Sequence, residues 1–206
     1  MMKLYETRVA PNPRRVRVFI AEKGLTEQVE YIEVNLQAGE NLTPEFRQRN
    51  PMKKVPVLEL EDGTCISETM AICRYLEAAY PETPRLLGES AKEIALIEQW
   101  NRWIDFFYMM PTGMAFQHLT GYFKDRMTPN QAWGEACKSD AEKFFAFLDQ
   151  QLEGRRFLCG EQFTAADISA VCVLDFNKVI QQKIQDDQSN LLAWYERVNQ
   201  RPSITA

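Results

Sequence analysis

The chain has 206 residues, of which 45% are apolar and 26% charged, and a net charge of −5. That length suits one large domain or two modest ones, in the composition range of an ordinary soluble globular protein. The acidic total argues against nucleic acid or an anionic membrane as the main partner, and no run of about 18 apolar residues exists to span a bilayer.

The first 80 residues alternate between strand and helix signals. Leu4 to Val9 is short and β-prone. Pro13 stands where a helix can begin, since its missing N–H would have no partner there anyway. Val16, Phe19 and Ile20 give that helix an apolar face, and Gly24 ends it. Val29 to Val34 alternates as a half-buried strand does. Thr43 caps a short helix that opens on Pro44. Val57–Leu60 and Thr64–Ile66 flank Asp62-Gly63, a hairpin signal. Ser67 to Ala79 reads as a helix with Met70, Ile72, Cys73 and Leu76 near its buried side. The order βαβαββα predicts a mixed sheet with helices packed on it, over residues 1–80.

Two prolines, Pro81 and Pro84, then punctuate a linker assigned to residues 81–90. Strand signals nearly vanish beyond it, and residues 91–206 read as an all-helical domain. Ile97, Trp100, Ile104 and Phe107 recur at helical spacing, with a kink expected at Pro111 and Gly113. Trp133, Cys137, Ala141, Phe144, Leu148 and Leu152 form a second stripe. Thr164 to Asp167 precedes an apolar run, a capping-box pattern with Asp in place of Glu. Leu191 to Arg201 is the last helix, closed by Pro202.

No apolar h-region follows Met1, so no signal peptide is expected. Five cysteines without a C-x-x-C pair point to reduced thiols in a cytoplasmic protein rather than to a disulfide framework or zinc site. A single histidine, His118, cannot build a metal cluster, so no metal is expected.

Four local features, in this order, resemble the glutathione transferase superfamily over nearly the whole chain. They are Asn50-Pro-Met-Lys-Lys-Val-Pro56-Val-Leu before the Asp62-Gly63 turn, Ser67-Glu68-Thr69-Met-Ala71-Ile72, Phe157-Leu-Cys-Gly160 running into Thr164-Ala-Ala-Asp167, and Trp194, Tyr195, Arg201 and Pro202. The resemblance implies a thioredoxin-like glutathione-binding domain and a helical domain that forms an electrophile pocket.

It also implies roles for particular residues. Pro56 is implied to be cis, with the Val55 backbone pairing strand-fashion with the cysteinyl unit of glutathione; by itself the sequence reads equally as a proline ending a loop at a sheet edge. Glu68 and Thr69, at a helix start, suit the charged γ-glutamyl end: the helix N-terminus takes the carboxylate and Glu68 the ammonium. A plain helix cap is the other reading, compatible with the first. Lys53 and Asn41 match positions that hold the glycine carboxylate, with Lys54 as a substitute for Lys53. Asp105 matches a position that in some classes reaches across a dimer, and reads equally as a solvated helix charge.

The reactive loop, Val9-Ala10-Pro11-Asn12-Pro13, departs from the serine and cysteine types, which carry a hydroxyl or thiol where Ala10 stands. Similar Pro-Asn sequences occur in bacterial-type, nu-class-like members, which makes Asn12 the candidate for stabilising the glutathione thiolate. A turn residue between two prolines is the bland reading. Tyr5 and Thr7 are back-up hydroxyls. Val9, Tyr108, Met109 and Phe116 are the candidate walls of the electrophile pocket.

The function expected is an enzyme, with glutathione as co-substrate activated for attack on a hydrophobic electrophile or for reduction of a peroxide or disulfide. The alternative is a non-enzymatic interaction or regulatory module on the same fold, a reading that Ala10 favours. A homodimer is implied, and neither nucleic acid nor membrane is an expected partner.

Overall fold

The computed structural model describes all 206 residues, and the chain divides into two compact units. Residues Met1–Leu86 with Thr205–Ala206 form one, and Leu87–Ile204 the other.

In the first unit the elements run β1 (Met2–Glu6), α1 (Pro11–Glu22), β2 (Val29–Glu33), α2 (Pro44–Arg49), β3 (Val57–Glu59), β4 (Cys65–Ser67) and α3 (Thr69–Ala79). This is the βαβαββα order read from the sequence, and it builds a thioredoxin-like unit. The four strands lie in the order β2-β1-β3-β4. β1 pairs in parallel with β2, and antiparallel with β3, which in turn pairs antiparallel with β4. Leu4 sits between Tyr31 on one side and Leu58 on the other.

Apolar side chains fix both faces of the sheet. Leu4, Val16, Val18, Phe19, Ile20, Leu58, Ile72 and Leu76 are buried. A second cluster of Tyr5, Val34, Phe46 and Val57 lies beneath α2, with Ile32, Leu36, Val55 and Cys65 packed against it. Thr43 caps α2 by accepting from the Phe46 N–H, with Pro44 at the first position. The start of α1 differs from expectation. β1 ends at Glu6 because the chain turns there, with Ala10 N–H donating to the Thr7 carbonyl at 2.9 Å, and the helix opens at Pro11 rather than Pro13. Gly24 closes it at φ +68°. The buried Lys23 ammonium then bridges to Glu77 of α3 at 2.8 Å and to the Pro84 carbonyl at 3.1 Å. Burying a charge is tolerable only with such partners.

The second unit carries α4 (Ala91–Ile104), α5 (Met110–Thr120), α6 (Gln131–Gln151), α7 (Ala165–Phe176) and α8 (Ser189–Asn199). The expected kink near Pro111 takes a specific form. Residues Asp105–Met109 make a π-helical turn, with Met110 N–H reaching back to the Asp105 carbonyl. Pro111 has no N–H for the Phe107 carbonyl and its ring would clash there, so the widened turn absorbs the mismatch. Thr164 and Asp167 form the capping box at the start of α7. The fully buried Asp167 carboxylate also accepts from Leu158 N–H at 3.0 Å and Trp194 Nε1 at 2.9 Å, which ties α7 to α8 and to the preceding loop. Trp133 departs from its stripe: it is 52% exposed, while Cys137, Ala141, Phe144 and Leu148 are buried as expected.

Candidate functional site

The loop from β1 to α1 is held from below. Arg17 and Glu6 make a buried ion pair, and Arg17 Nη2 donates to the Arg8 carbonyl at 2.8 Å. The Arg8 N–H donates to the Glu33 carboxylate at 3.1 Å. Both back-up hydroxyls are already engaged. Thr7 donates to the Val34 carbonyl at 2.5 Å, and Tyr5 donates to Glu59 Oε2 at 2.9 Å. Burial and that bond to Glu59 push the Tyr5 phenol above its ordinary range. Neither group is placed as a donor at the loop.

Asn12 is. Ala10 is the N-cap of α1 and offers no side-chain cap. Pro11 and Pro13 have no N–H, and the Arg14 N–H is taken by the Ala10 carbonyl at 3.3 Å. Asn12 is therefore the residue of this turn with a backbone donor to offer. Its side-chain Oδ1 accepts from Arg15 Nη1 at 3.0 Å. Val9, in the same loop, is 83% exposed.

Asn50 organises the segment before β3, a part that sequence reasoning assigned only to a motif. It is buried; its Nδ2 donates to the Lys54 carbonyl at 2.8 Å and its Oδ1 accepts from Met52 N–H at 2.9 Å. Lys53 sits in the left-handed region at φ +57°. Asn41 Nδ2 donates to the Lys53 carbonyl at 2.8 Å, while Asn41 Oδ1 is buried with no partner. Asn41 thus braces the backbone of Lys53. The Val55–Pro56 bond is cis. The paired register of β3 begins only at Val57, so the Val55 backbone lies outside the ladder.

At the start of α3, Glu68 is exposed and adopts φ +72°, ψ +122°, with no side-chain cap on the helix. Holding a non-glycine residue there costs on the order of 1–3 kcal/mol, a strain that clusters at ligand sites. Thr69 is buried, and its hydroxyl donates to the Asn12 carbonyl at 3.4 Å. The first turns of α1 and α3 therefore meet at this contact.

In the second unit, Asp105 opens the π turn and is half-buried. Tyr108 is not a pocket wall. It is fully buried, stacked on Phe144 at 4.9 Å and edge-on to Phe145 at 5.7 Å. Its ring lies in the helical core, on the buried face of Ile104 four residues earlier, where its hydroxyl has no partner and burial pushes the phenol well up. Met109 is half-buried, and Phe116 packs in an aromatic group with Tyr122, Phe123 and Phe176. The open apolar groove of this unit, about 720 Å³, is lined by other residues, among them Phe106, Phe107, Met110, Trp133 and Phe147.

No two cysteines form a disulfide. Burial pushes the thiols of Cys65 and Cys137 up, and that of Cys159 to about 12. No three or more His, Cys, Asp or Glu side chains are grouped to hold a metal ion, and no helix is long and apolar enough to cross a membrane.

Arg15 and Asn50 were the site-building residues missed in the sequence. Arg15 carried a signal, since it stands three positions after Asn12 on a helix and so shares its face. Asn50 carried none beyond its place in the motif.

The family of the chain follows from its relatives. Residues 1–78 match the family described as "Glutathione S-transferase, N-terminal domain" and residues 103–202 match "Glutathione S-transferase, C-terminal domain". The chain belongs to the glutathione S-transferase superfamily. It is 34% identical to "Glutathione S-transferase 2" of Saccharomyces cerevisiae, over 98% of this chain and 88% of that one. The crystal structure of Gtt2 from Saccharomyces cerevisiae superposes with a TM-score of 0.94 at 33% identity, covering 98% of each chain. A glutathione S-transferase domain-containing protein from Marinobacter aquaeolei is 41% identical, with a TM-score of 0.91 over 98% of this chain and 99% of that one. Elongation factor 1-gamma of Rattus norvegicus is 30% identical over 81% of this chain but only 36% of its own length. The coarse function is therefore glutathione-transferase-like.

Proposed function

We propose that the chain binds glutathione on its first unit, stabilises the thiolate against Asn12, and delivers that sulfur to a hydrophobic electrophile or uses it to reduce a peroxide or disulfide. The observation that carries this is the contact between the Thr69 hydroxyl and the Asn12 carbonyl. It puts the candidate γ-glutamyl cradle next to the candidate sulfur donor, as one tripeptide requires.

Each residue has a part in the reading. The α3 N-terminus and Thr69 take the γ-glutamyl carboxylate, and exposed Glu68 takes the ammonium. The Val55 backbone, ahead of Pro56 and outside the ladder, pairs with the cysteinyl unit. Lys53, with its backbone braced by Asn41, takes the glycine carboxylate, and Lys54 is the substitute. Asn12 supplies its backbone N–H and its amide N–H groups to sulfur. A thiol ionises near 8.5, and lowering that by one to two units takes about 1.4–2.7 kcal/mol. One charge-assisted hydrogen bond and a helix N-terminus supply energies of that order. Exposed Val9 gives a hydrophobic second substrate an apolar surface on the same loop.

A homodimer belongs to the same proposal, supported by exposed Phe106, Phe107, Met110 and Trp133 on one face of the second unit. Asp105 borders that face and is the residue proposed to reach a second copy's ligand. The cysteines, none in a disulfide, support a cytoplasmic setting, and detoxification is the role such chemistry serves. The test is calorimetric titration with reduced glutathione, followed by turnover of an activated aryl halide and a hydroperoxide by the wild type and Asn12→Ala. Absence of binding at millimolar glutathione would replace the enzyme with an interaction module.

A further inference from the structure

We propose that Arg15 is a positioning residue for the thiolate: its guanidinium locks the Asn12 amide with the oxygen turned inward and the NH₂ turned toward the sulfur of bound glutathione. The inference rests on the glutathione reading above and deepens it.

Arg15 is only 2% exposed. Arginine is almost never buried to that degree unless it is paired, and the Asn12 amide is one of its partners. It lies in the second turn of α1, three residues after Asn12, and its Nη1 is 3.0 Å from Asn12 Oδ1. A guanidinium has five donors and no acceptor. The atom of the amide that faces it must therefore be the oxygen, so the usual ambiguity between the two ends of an asparagine does not arise. Asn12 Nδ2, at the other end, has no partner within the chain.

The consequence for sulfur chemistry follows from rotamer freedom. The last torsion of an asparagine is broad and roughly two-fold, so an unrestrained amide turns either end outward. The end that carries Oδ1 repels a thiolate, whereas the Nδ2 end donates to it. A cation on the oxygen also draws electron density from the amide and strengthens its N–H donors. The hydrogen bond from Thr69 to the Asn12 carbonyl fixes the backbone of the same residue. Backbone and side chain of Asn12 are thus set by two different partners.

The test uses the full chain with two probes: reduced glutathione, and S-methylglutathione, which has no thiol to ionise. In Arg15→Met, turnover of an activated aryl halide at saturating glutathione should fall about tenfold or more, one unit of thiol pKa. Its dissociation constant for S-methylglutathione should stay within about threefold of wild type. In the Asn12→Ala background, adding Arg15→Met should change turnover by less than about threefold, since the effect passes through the amide. Asn12→Asp keeps Arg15 paired, so it guards against a folding artefact. It should lose turnover as Asn12→Ala does and still bind S-methylglutathione.

Three results would overturn the assignment. One is equal weakening of S-methylglutathione by Arg15→Met, the mark of a structural role. Another is an undiminished Arg15 effect without Asn12, and the third is full turnover in Asn12→Asp. If the wild type binds neither probe, the glutathione reading itself falls and Arg15 with it; if it binds both and only the variants disobey, Arg15 alone is wrong.

Discussion

The Thr69 hydroxyl donates to the Asn12 backbone carbonyl at 3.4 Å, joining two helix starts that lie 57 positions apart in sequence. Thr69→Val keeps the shape of the side chain and removes the hydroxyl. Glutathione affinity should fall about threefold to tenfold, because the lost bond leaves the Asn12 carbonyl unpartnered and loosens the two helix starts that hold the ligand. Calorimetry reads this directly. A change below about twofold would separate Thr69 from the ligand.

Tyr5 offers the complementary case. Its hydroxyl is directed at Glu59, not at the reactive loop. Tyr5→Phe should leave turnover within about twofold of wild type while lowering the melting temperature by roughly 2–4 °C, for a loss near 1 kcal/mol in a chain of this size. A collapse of turnover with an unchanged melting temperature would restore Tyr5 as the activating hydroxyl.

The same cluster gives an acid-side signature. Burial works to raise the Glu59 pKa, but hydrogen bonds from Tyr5 and Arg49 and the charge of Lys3 hold it below the ordinary glutamate range. A depressed folded-state pKa means that its contribution is present above the unfolded value of about 4.3 and is lost as pH falls through the folded value. Wild type should therefore melt above Glu59→Gln at pH 6, with the gap closing toward pH 3. A gap of constant size across that range would contradict the sign.

Gly134 of α6 faces α5 so closely that an added Cβ would lie 2.8 Å from Leu119 Cγ and 3.1 Å from His118 Cβ. Alanine gains up to about 1 kcal/mol in helix propensity, whereas overpacking costs about 1–3 kcal/mol. Gly134→Ala should lower stability by about 1 kcal/mol in urea unfolding. A stabilised variant would mean that Leu119 can move aside.

Much of this molecule was legible in sequence because its signals are local. Thr43-Pro44, Asp62-Gly63 and Thr164 to Asp167 each announce a cap or turn within four residues, and the structure builds each one. Other features depend on what the chain brings together. Tyr108 has the chemistry of a pocket wall but follows Ile104 by four residues and shares its buried face, whereas Phe107, which continues the apolar stripe at a spacing of three, is 60% exposed. Helical spacing assumes 3.6 residues per turn and fails where a wider turn intervenes. Trp133 keeps the helical period yet stays exposed, because it stands in the first turn of α6, at the border of the groove. Asn50 resembles any loop asparagine until its buried bonds to residues 52 and 54 are seen.

The state of the cysteines has a further consequence. A cysteine attacks hydrogen peroxide and its organic relatives as the thiolate, and reacts far more slowly while its proton is held tightly. Cys159, pushed to about 12, and Cys65 and Cys137, also raised, carry almost no anion at neutral pH, and Cys73 and Cys172 are buried. The cysteine thiols are thus poor targets for oxidants at neutral pH, whereas the exposed thioethers of Met1, Met52 and Met110 stand open to them.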